Sequence, residues 1–153
     1  MRVLIYSAVA LVLDQLTKLA AKNFMEPGQS IAILGNTFRL TYIQNPGMAF
    51  GINIGGVLFF TIVSLLASCV IFIYLLKSKS ENFYYRFSLA LILGGAIGNL
   101  FDRLLYGKVV DFLDFGIGNL RWPVFNLADT AVTIGMFIFF ASAIFEKKGK
   151  LKS

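Results

Sequence analysis

Four long apolar stretches dominate this chain, and they constrain its fold more than any other feature. A bilayer core about 30 Å thick is crossed by roughly 20 mostly apolar residues in a helix. Residues 3–22, 57–76, 87–106 and 127–145 each satisfy that length. Only 14% of the residues are charged, where a soluble domain carries about a quarter. The fold class read from this pattern is an all-α membrane protein of four transmembrane helices with a small extracytoplasmic β element. The whole chain, 1–153, reads as a single membrane-embedded domain.

The charge balance of +6 does not indicate nucleic acid. Such binders spread basic residues along a polar face among aromatics, whereas here the excess flanks the apolar blocks. Eight cations, Arg2, Lys77, Lys79, Arg86, Lys147, Lys148, Lys150 and Lys152, lie at the ends and in the short middle loop. Four, Lys22, Arg39, Lys108 and Arg121, are spread over the two longer connections. The positive-inside rule therefore places both termini in the cytoplasm. Asp14 and Lys18 interrupt the first apolar run, so this run reads as a retained span and not as a cleaved signal peptide.

The connection 23–56 contains Phe38-Arg39-Leu40-Thr41-Tyr42-Ile43, rich in β-formers and ended by Asn45-Pro46-Gly47, which predicts a strand followed by a turn. The second long connection holds Val109-Val110-Asp111-Phe112-Leu113-Asp114-Phe115, another extended candidate. Together they predict a small sheet on the outer membrane surface.

With that orientation the intramembrane polar residues share one depth. Asp14 lies about 8 residues, or roughly 12 Å, from the outer end of its span. Lys18 is one turn further out, Asn99, Asp102 and Arg103 occupy the outer turns of the third span, and Asn126 and Asp129 open the fourth. A charge at a helix centre costs about 2.5–3.5 kcal/mol on insertion scales, less towards the interface, so such a layer implies partners or purpose. Asp14 with Lys18 and Asn99 with Arg103 stand at i,i+4, and Asn126 with Asp129 at i,i+3, each pair on one face. Asp14 and Lys18 read equally well as an ion pair joining two helices. Asp102 reads as a helix-end charge near the interface. Gly94, Gly95 and Gly98 predict close packing of the third helix.

The chain has no histidine and a single cysteine, Cys69. His-based triads, imidazole metal sites and thiolate clusters are thereby removed, and neither a metal nor a cofactor is implied. Cys69, in the charge-free second span, reads as packing. A Ser-Lys device fits poorly: Ser7 is three turns deeper than Lys18, and Ser64, Ser68, Ser88 and Ser142 fall away from the outer layer. A carboxylate pair remains. Asp111 sits in an apolar segment returning to the membrane, and Asp129 heads the last span. Two buried carboxylates share one proton near neutral pH, so one can draw a proton from water while the other donates one. Asp114 is the rival partner for Asp111, but in an extended segment the two point to opposite faces, which favours Asp129. A proton-coupled transporter is the reading from another class; it calls for polar residues in the inner halves of the spans, which here are bare.

Five segments carry a resemblance: Asp14-Gln15-Leu16-Thr17-Lys18, Asn45-Pro46-Gly47-Met48-Ala49-Phe50-Gly51, Gly94-Gly95-Ala96-Ile97-Gly98-Asn99-Leu100-Phe101-Asp102-Arg103, Val109 to Phe115, and Phe125-Asn126-Leu127-Ala128-Asp129. In this order they resemble the motifs of bacterial lipoprotein signal peptidase (signal peptidase II), over almost the whole chain. Met48 departs from the small residue more usual there. The resemblance implies an intramembrane aspartyl endopeptidase that removes signal peptides from prolipoproteins, cleaving before the diacylglyceryl-modified cysteine. It implies Asp111 and Asp129 as the catalytic pair. Asn45, Gly47, Asn99, Arg103 and Asn126 would then line the site and hold the substrate backbone, with Asp14 and Lys18 in support. A short amphipathic segment near 49–54 would help cradle the substrate. It further implies the bacterial inner membrane, an extracytoplasmic active site, inhibition by globomycin and no metal. Nothing in the sequence demands an oligomer, so a monomer is expected.

Overall fold

The computed structural model describes residues 2–46, 48–49, 52–53 and 55–150, with the side chains of 48, 49, 52, 53 and 146–150 left undescribed. Four long helices frame it: α1 (Leu4–Phe24), α2 (Gly56–Lys77), α3 (Phe83–Tyr106) and α4 (Leu127–Lys150). All four are long and apolar enough to cross a membrane, α4 over Leu127–Phe145. The third helix begins four residues before the apolar stretch that marks it in the sequence, because Asn82 caps it by accepting the Tyr85 N–H (2.8 Å). Its other end is closed by Gly107 in the left-handed conformation (φ 65°), where a residue without Cβ carries no penalty.

α3 is the central helix, packed against α1, α2 and α4. Its glycines make this possible. A Cβ on Gly94 would stand 2.6 Å from the Ser7 carbonyl oxygen of α1, and one on Gly95 would stand 2.3 Å from the Ala128 carbonyl oxygen of α4. On Gly98 it would meet Asp14 Oδ2 at 2.6 Å. Small residues bring helix backbones together where no water-driven burial is available. α2, by contrast, is exposed along most of its length, and Cys69 lies on that outward surface. Packing, the role expected for Cys69, is thus corrected: it faces away from the bundle.

The expected sheet is present and larger than the sequence indicated. Strands β1 (Ser30–Leu34), β2 (Phe38–Asn45), β5 (Val109–Ile117) and β6 (Leu120–Arg121) form an antiparallel sheet in the order β1-β2-β5-β6. β3 (Met48–Ala49) and β4 (Ile52–Asn53) pair separately; they cover part of the expected amphipathic segment, and its other residues, like Gly47, lie outside the described residues. The β2–β5 register places Ile43 opposite Asp111 and Asn45 opposite Val109, after an irregularity between Leu40 and Ile43. Tyr42, Val110 and Phe112 pack with Ala21 of α1 into a small core. That core fixes the sheet on the end of the bundle where α3 ends and α4 begins, which is where the polar layer lies.

Candidate functional site

The site is built outward from one buried cation. Lys18 of α1, 1% exposed, is 2.8 Å from Asp14 Oδ2 and 3.2 Å from Asp102 Oδ2. Its third donor goes to Asn99 Oδ1 at 2.9 Å. A buried lysine with all three N–H bonds directed to oxygen is the arrangement in which a desolvated charge is tolerated. The two carboxylates then carry the pattern further. Asp14 Oδ1 accepts the Ala128 N–H of α4 (2.8 Å), and Asp102 Oδ2 accepts the Val110 N–H of β5 (3.0 Å). Asp102, 1% exposed, is therefore no interfacial helix-end charge. It ties the end of α3 to the strand that carries Asp111.

Asn126 occupies the centre of the next tier. It precedes α4 and forms a reciprocal cap with Asp129: Asn126 Oδ1 accepts the Asp129 N–H (2.9 Å), and Asp129 Oδ2 accepts the Asn126 N–H (3.2 Å). This is the capping-box geometry that an Asn-x-x-acid spacing allows. The Asn126 amide also donates to Asp111 Oδ1 at 2.7 Å and to Asn99 Oδ1 at 3.1 Å. Asn99 in turn donates to Asp129 Oδ1 at 2.7 Å. One residue thus holds Asp111 with its side chain and Asp129 with its backbone. On the open side, Asn45 donates to Asp111 Oδ2 at 3.0 Å.

Asp111 and Asp129 line the same cavity, of about 670 Å³, together with Asn45, Asn99 and Arg103. Arg103 Nη1 donates to Ser64 Oγ of α2 (3.1 Å), and the guanidinium lies 5.8 Å from the Phe60 ring centre. Its buried Nε has no hydrogen-bond partner among the described residues. Ser64, expected away from the outer layer, is therefore one of its members. Asn126 is fully buried and is not among the residues lining the cavity; its amide is committed to Asp111, Asn99 and the Val110 carbonyl (3.2 Å). Asp14 and Lys18 are likewise sealed behind the cavity wall.

Burial pushes the Asp111 carboxyl up to about 7. The Asn45 and Asn126 amides oppose the shift by stabilising the anion, and the nearby Asp129 charge reinforces it. The layer's charge composition agrees. Four carboxylates (Asp14, Asp102, Asp111, Asp129) face two cations (Lys18, Arg103), so a proton retained by one acid relieves the excess. Asp114 is not available to complete a pair: Arg121 Nη2 lies 2.7 Å from its Oδ1, and Thr41 donates to its Oδ2 at 2.6 Å.

Sequence reasoning missed Gln15, whose amide bridges Asp14 (3.1 Å), Asp102 (3.1 Å) and the Gly98 carbonyl (3.2 Å). Its position beside Asp14, in a run otherwise apolar up to Thr17, was the available signal.

Four membrane-capable helices with two acids converging on one cavity define a class: a polytopic membrane enzyme. A family profile described as signal peptidase (SPase) II matches residues 6–145. The lipoprotein signal peptidase of Syntrophus aciditrophicus is 41% identical over 152 residues, covering 96% of this chain and 94% of that protein. That of Pelotomaculum thermopropionicum is 45% identical over 131 residues, covering 86% and 84%. A bacterial membrane enzyme structure solved by the in meso method at 2.3 Å superposes with a TM-score of 0.87 at 29% identity, over 97% of this chain and 91% of that one. The chain belongs to the signal peptidase II family of lipoprotein signal peptidases, peptidases of the aspartic type.

Proposed function

We propose that this chain is a single membrane-embedded domain that removes signal peptides from prolipoproteins, cutting before the diacylglyceryl-modified cysteine, with Asp111 and Asp129 as its catalytic pair. The observation that carries this reading is that both acids line one cavity and are both bonded to Asn126 behind its wall. Asp111, with its raised affinity for a proton, begins protonated. Asp129 accepts N–H donors on both oxygens, which orients it as the partner that receives the proton of water.

In the first step a water oxygen bonds to the scissile carbonyl carbon while its proton passes to Asp129 and Asp111 donates its own to the carbonyl oxygen. The gem-diol so formed then returns a hydroxyl proton to Asp111. Asp129 protonates the amide nitrogen as the C–N bond breaks, which leaves a carboxylic acid, an amine and the starting protonation states. Each proton transfer contributes typically about 10²–10⁴-fold. Arg103 and Asn45, on the cavity wall, hold the substrate backbone; Asn99, Asn126, Asp14 and Lys18 hold the acids. A substrate bearing two acyl chains presents its scissile bond near the membrane surface, the depth at which the polar layer lies.

The cation asymmetry between the connections supports cytoplasmic termini and an active site on the extracytoplasmic side of the bacterial inner membrane. A monomer suffices, since every residue of the proposed site comes from one chain. Globomycin is expected to occupy the acid-lined cavity. The deciding experiment is cleavage of a diacylglyceryl-modified precursor by wild type, Asp111→Asn and Asp129→Asn, with and without globomycin. Loss of processing in both variants, each still inserted, together with globomycin-sensitive wild-type cleavage, is expected. Retained activity in either variant removes that residue from the pair.

A further inference from the structure

At the end of the bundle opposite the acids, a groove of about 620 Å³ runs between the starts of α1 and α3. Its lining includes two arginines, Arg2 and Arg86, together with Ile5, Tyr6 and Phe83. Arg86 Nε is buried and has no hydrogen-bond partner among the described residues. No carboxylate pairs with Arg2 or Arg86 among those residues either; the ion pairs found there belong to Lys18 and Arg121. Arg86 also borders a smaller adjoining cavity beside Lys79. Two cations therefore line the groove, with Lys79 on the adjoining cavity, and no carboxylate among the described residues pairs with any of the three. A buried N–H donor without an acceptor is costly, and an arginine in this state marks a place where an acceptor belongs.

The wall next to the cations is aromatic and ordered. Tyr6 packs edge-on against Phe87 (4.9 Å between centres) and Phe83 (6.1 Å), and Phe83 stacks on Phe87 (5.6 Å, 14°). Ile5 is 62% exposed and Phe83 52%, so this wall faces the hydrocarbon. Arg86 stands 17 residues before Arg103 on α3, roughly 26 Å along the helix, which puts it at the head-group level of the opposite leaflet. Guanidinium forks match phosphate oxygens bidentately.

We infer that this groove binds the phosphodiester head of an anionic phospholipid, with Arg2 and Arg86 on the phosphate and an acyl chain against Tyr6 and Phe83. The inference rests on the membrane reading of the helices and is independent of which residues cleave peptides. Its occupant is committed by charge complementarity: a zwitterionic lipid offers the same phosphate with a compensating cation, and free phosphate offers no chain for the aromatic wall.

Native mass spectrometry of the full chain in detergent tests this, with phosphatidylglycerol and phosphatidylcholine of identical chains supplied in equal amounts. Preferential retention of phosphatidylglycerol is expected. Arg86→Gln should reduce that preference about fivefold, the equivalent of ~1 kcal/mol for one cation at a membrane surface. Arg2→Gln, outside the helices and harmless to packing, should reduce it similarly, and Lys22→Gln at the other end should leave it unchanged. Equal retention of the two lipids by wild type overturns the proposal, as does full preference in both arginine variants. Displacement of bound lipid by millimolar inorganic phosphate would also overturn it, assigning the site to free phosphate.

Discussion

The proton on Asp111 gives the site a pH dependence whose sign and size follow from its surroundings. Burial holds this carboxyl at about 7. If catalysis requires it protonated, the competent fraction is about 0.9 at pH 6, half at pH 7 and about 0.1 at pH 8, by simple titration. The kcat/KM for a lipid-modified precursor should therefore fall about tenfold between pH 6 and pH 8, since this parameter reports the free enzyme's groups. The informative perturbation is Asn45→Ala. Asn45 Nδ2 donates to Asp111 Oδ2 at 3.0 Å, a bond that favours the anion, so its removal must raise the Asp111 proton affinity and move the alkaline limb upward. A hydrogen bond to a charged group is worth about 1.5–3 kcal/mol, or about one to two pH units at 1.36 kcal/mol each. Asn45 is only half-buried at the cavity wall, and water taking its place reduces the displacement to about 0.5–1 unit. The assay is precursor cleavage in mixed detergent micelles from pH 5 to pH 9.5, wild type against Asn45→Ala. An alkaline limb displaced downward, or no limb below pH 9, refutes the protonated-Asp111 reasoning.

Three further outcomes follow from the packing and the polar layer. Lys18→Met leaves Asp14 and Asp102 buried without their cation and should cost about 3–5 kcal/mol, read as a large drop in thermal unfolding temperature in detergent; an unchanged transition would mean Lys18 does not hold the layer. Gly95→Ala drives a methyl into the Ala128 carbonyl at 2.3 Å, where helix backbone cannot give way. Overpacking of this kind costs about 1–3 kcal/mol or more, and the displaced start of α4 should reduce cleavage along with stability; wild-type cleavage there would show that Asp129 tolerates the movement. Arg103→Ala should lower kcat/KM by about 10- to 100-fold, as expected for losing a charged hydrogen bond to substrate, with little change in unfolding temperature, and unaltered kinetics would make Arg103 purely structural.

Spacing along single elements was legible beforehand. Asp14 with Lys18 and Asn126 with Asp129 could be paired because helix geometry fixes which residues meet three or four apart, and both pairs are in contact. The glycines of α3 announced close packing for the same reason. Contacts between distant elements were not legible. Nothing in the sequence tells Lys18 that Asp102 lies across the bundle, or Ser64 that Arg103 will reach it from α3, because such pairings depend on helix rotation and crossing. The resemblance put Asn126 among the residues lining the site, and it could not tell that the side chain lies behind the cavity wall with its donors directed to Asp111 and Asn99. β1 escaped because all five of its residues are exposed, so no buried face imposed an alternation to read.

The contact between Asp14 and the Ala128 N–H spans 114 positions of sequence and is made by the residue just before Asp129. If Asp129 is one of the pair that cuts, a nascent polypeptide emerging from the ribosome would lack a complete centre while its earlier segments are being inserted. On that reading competence would wait for the docking of the fourth helix, and a product truncated before it should be inactive.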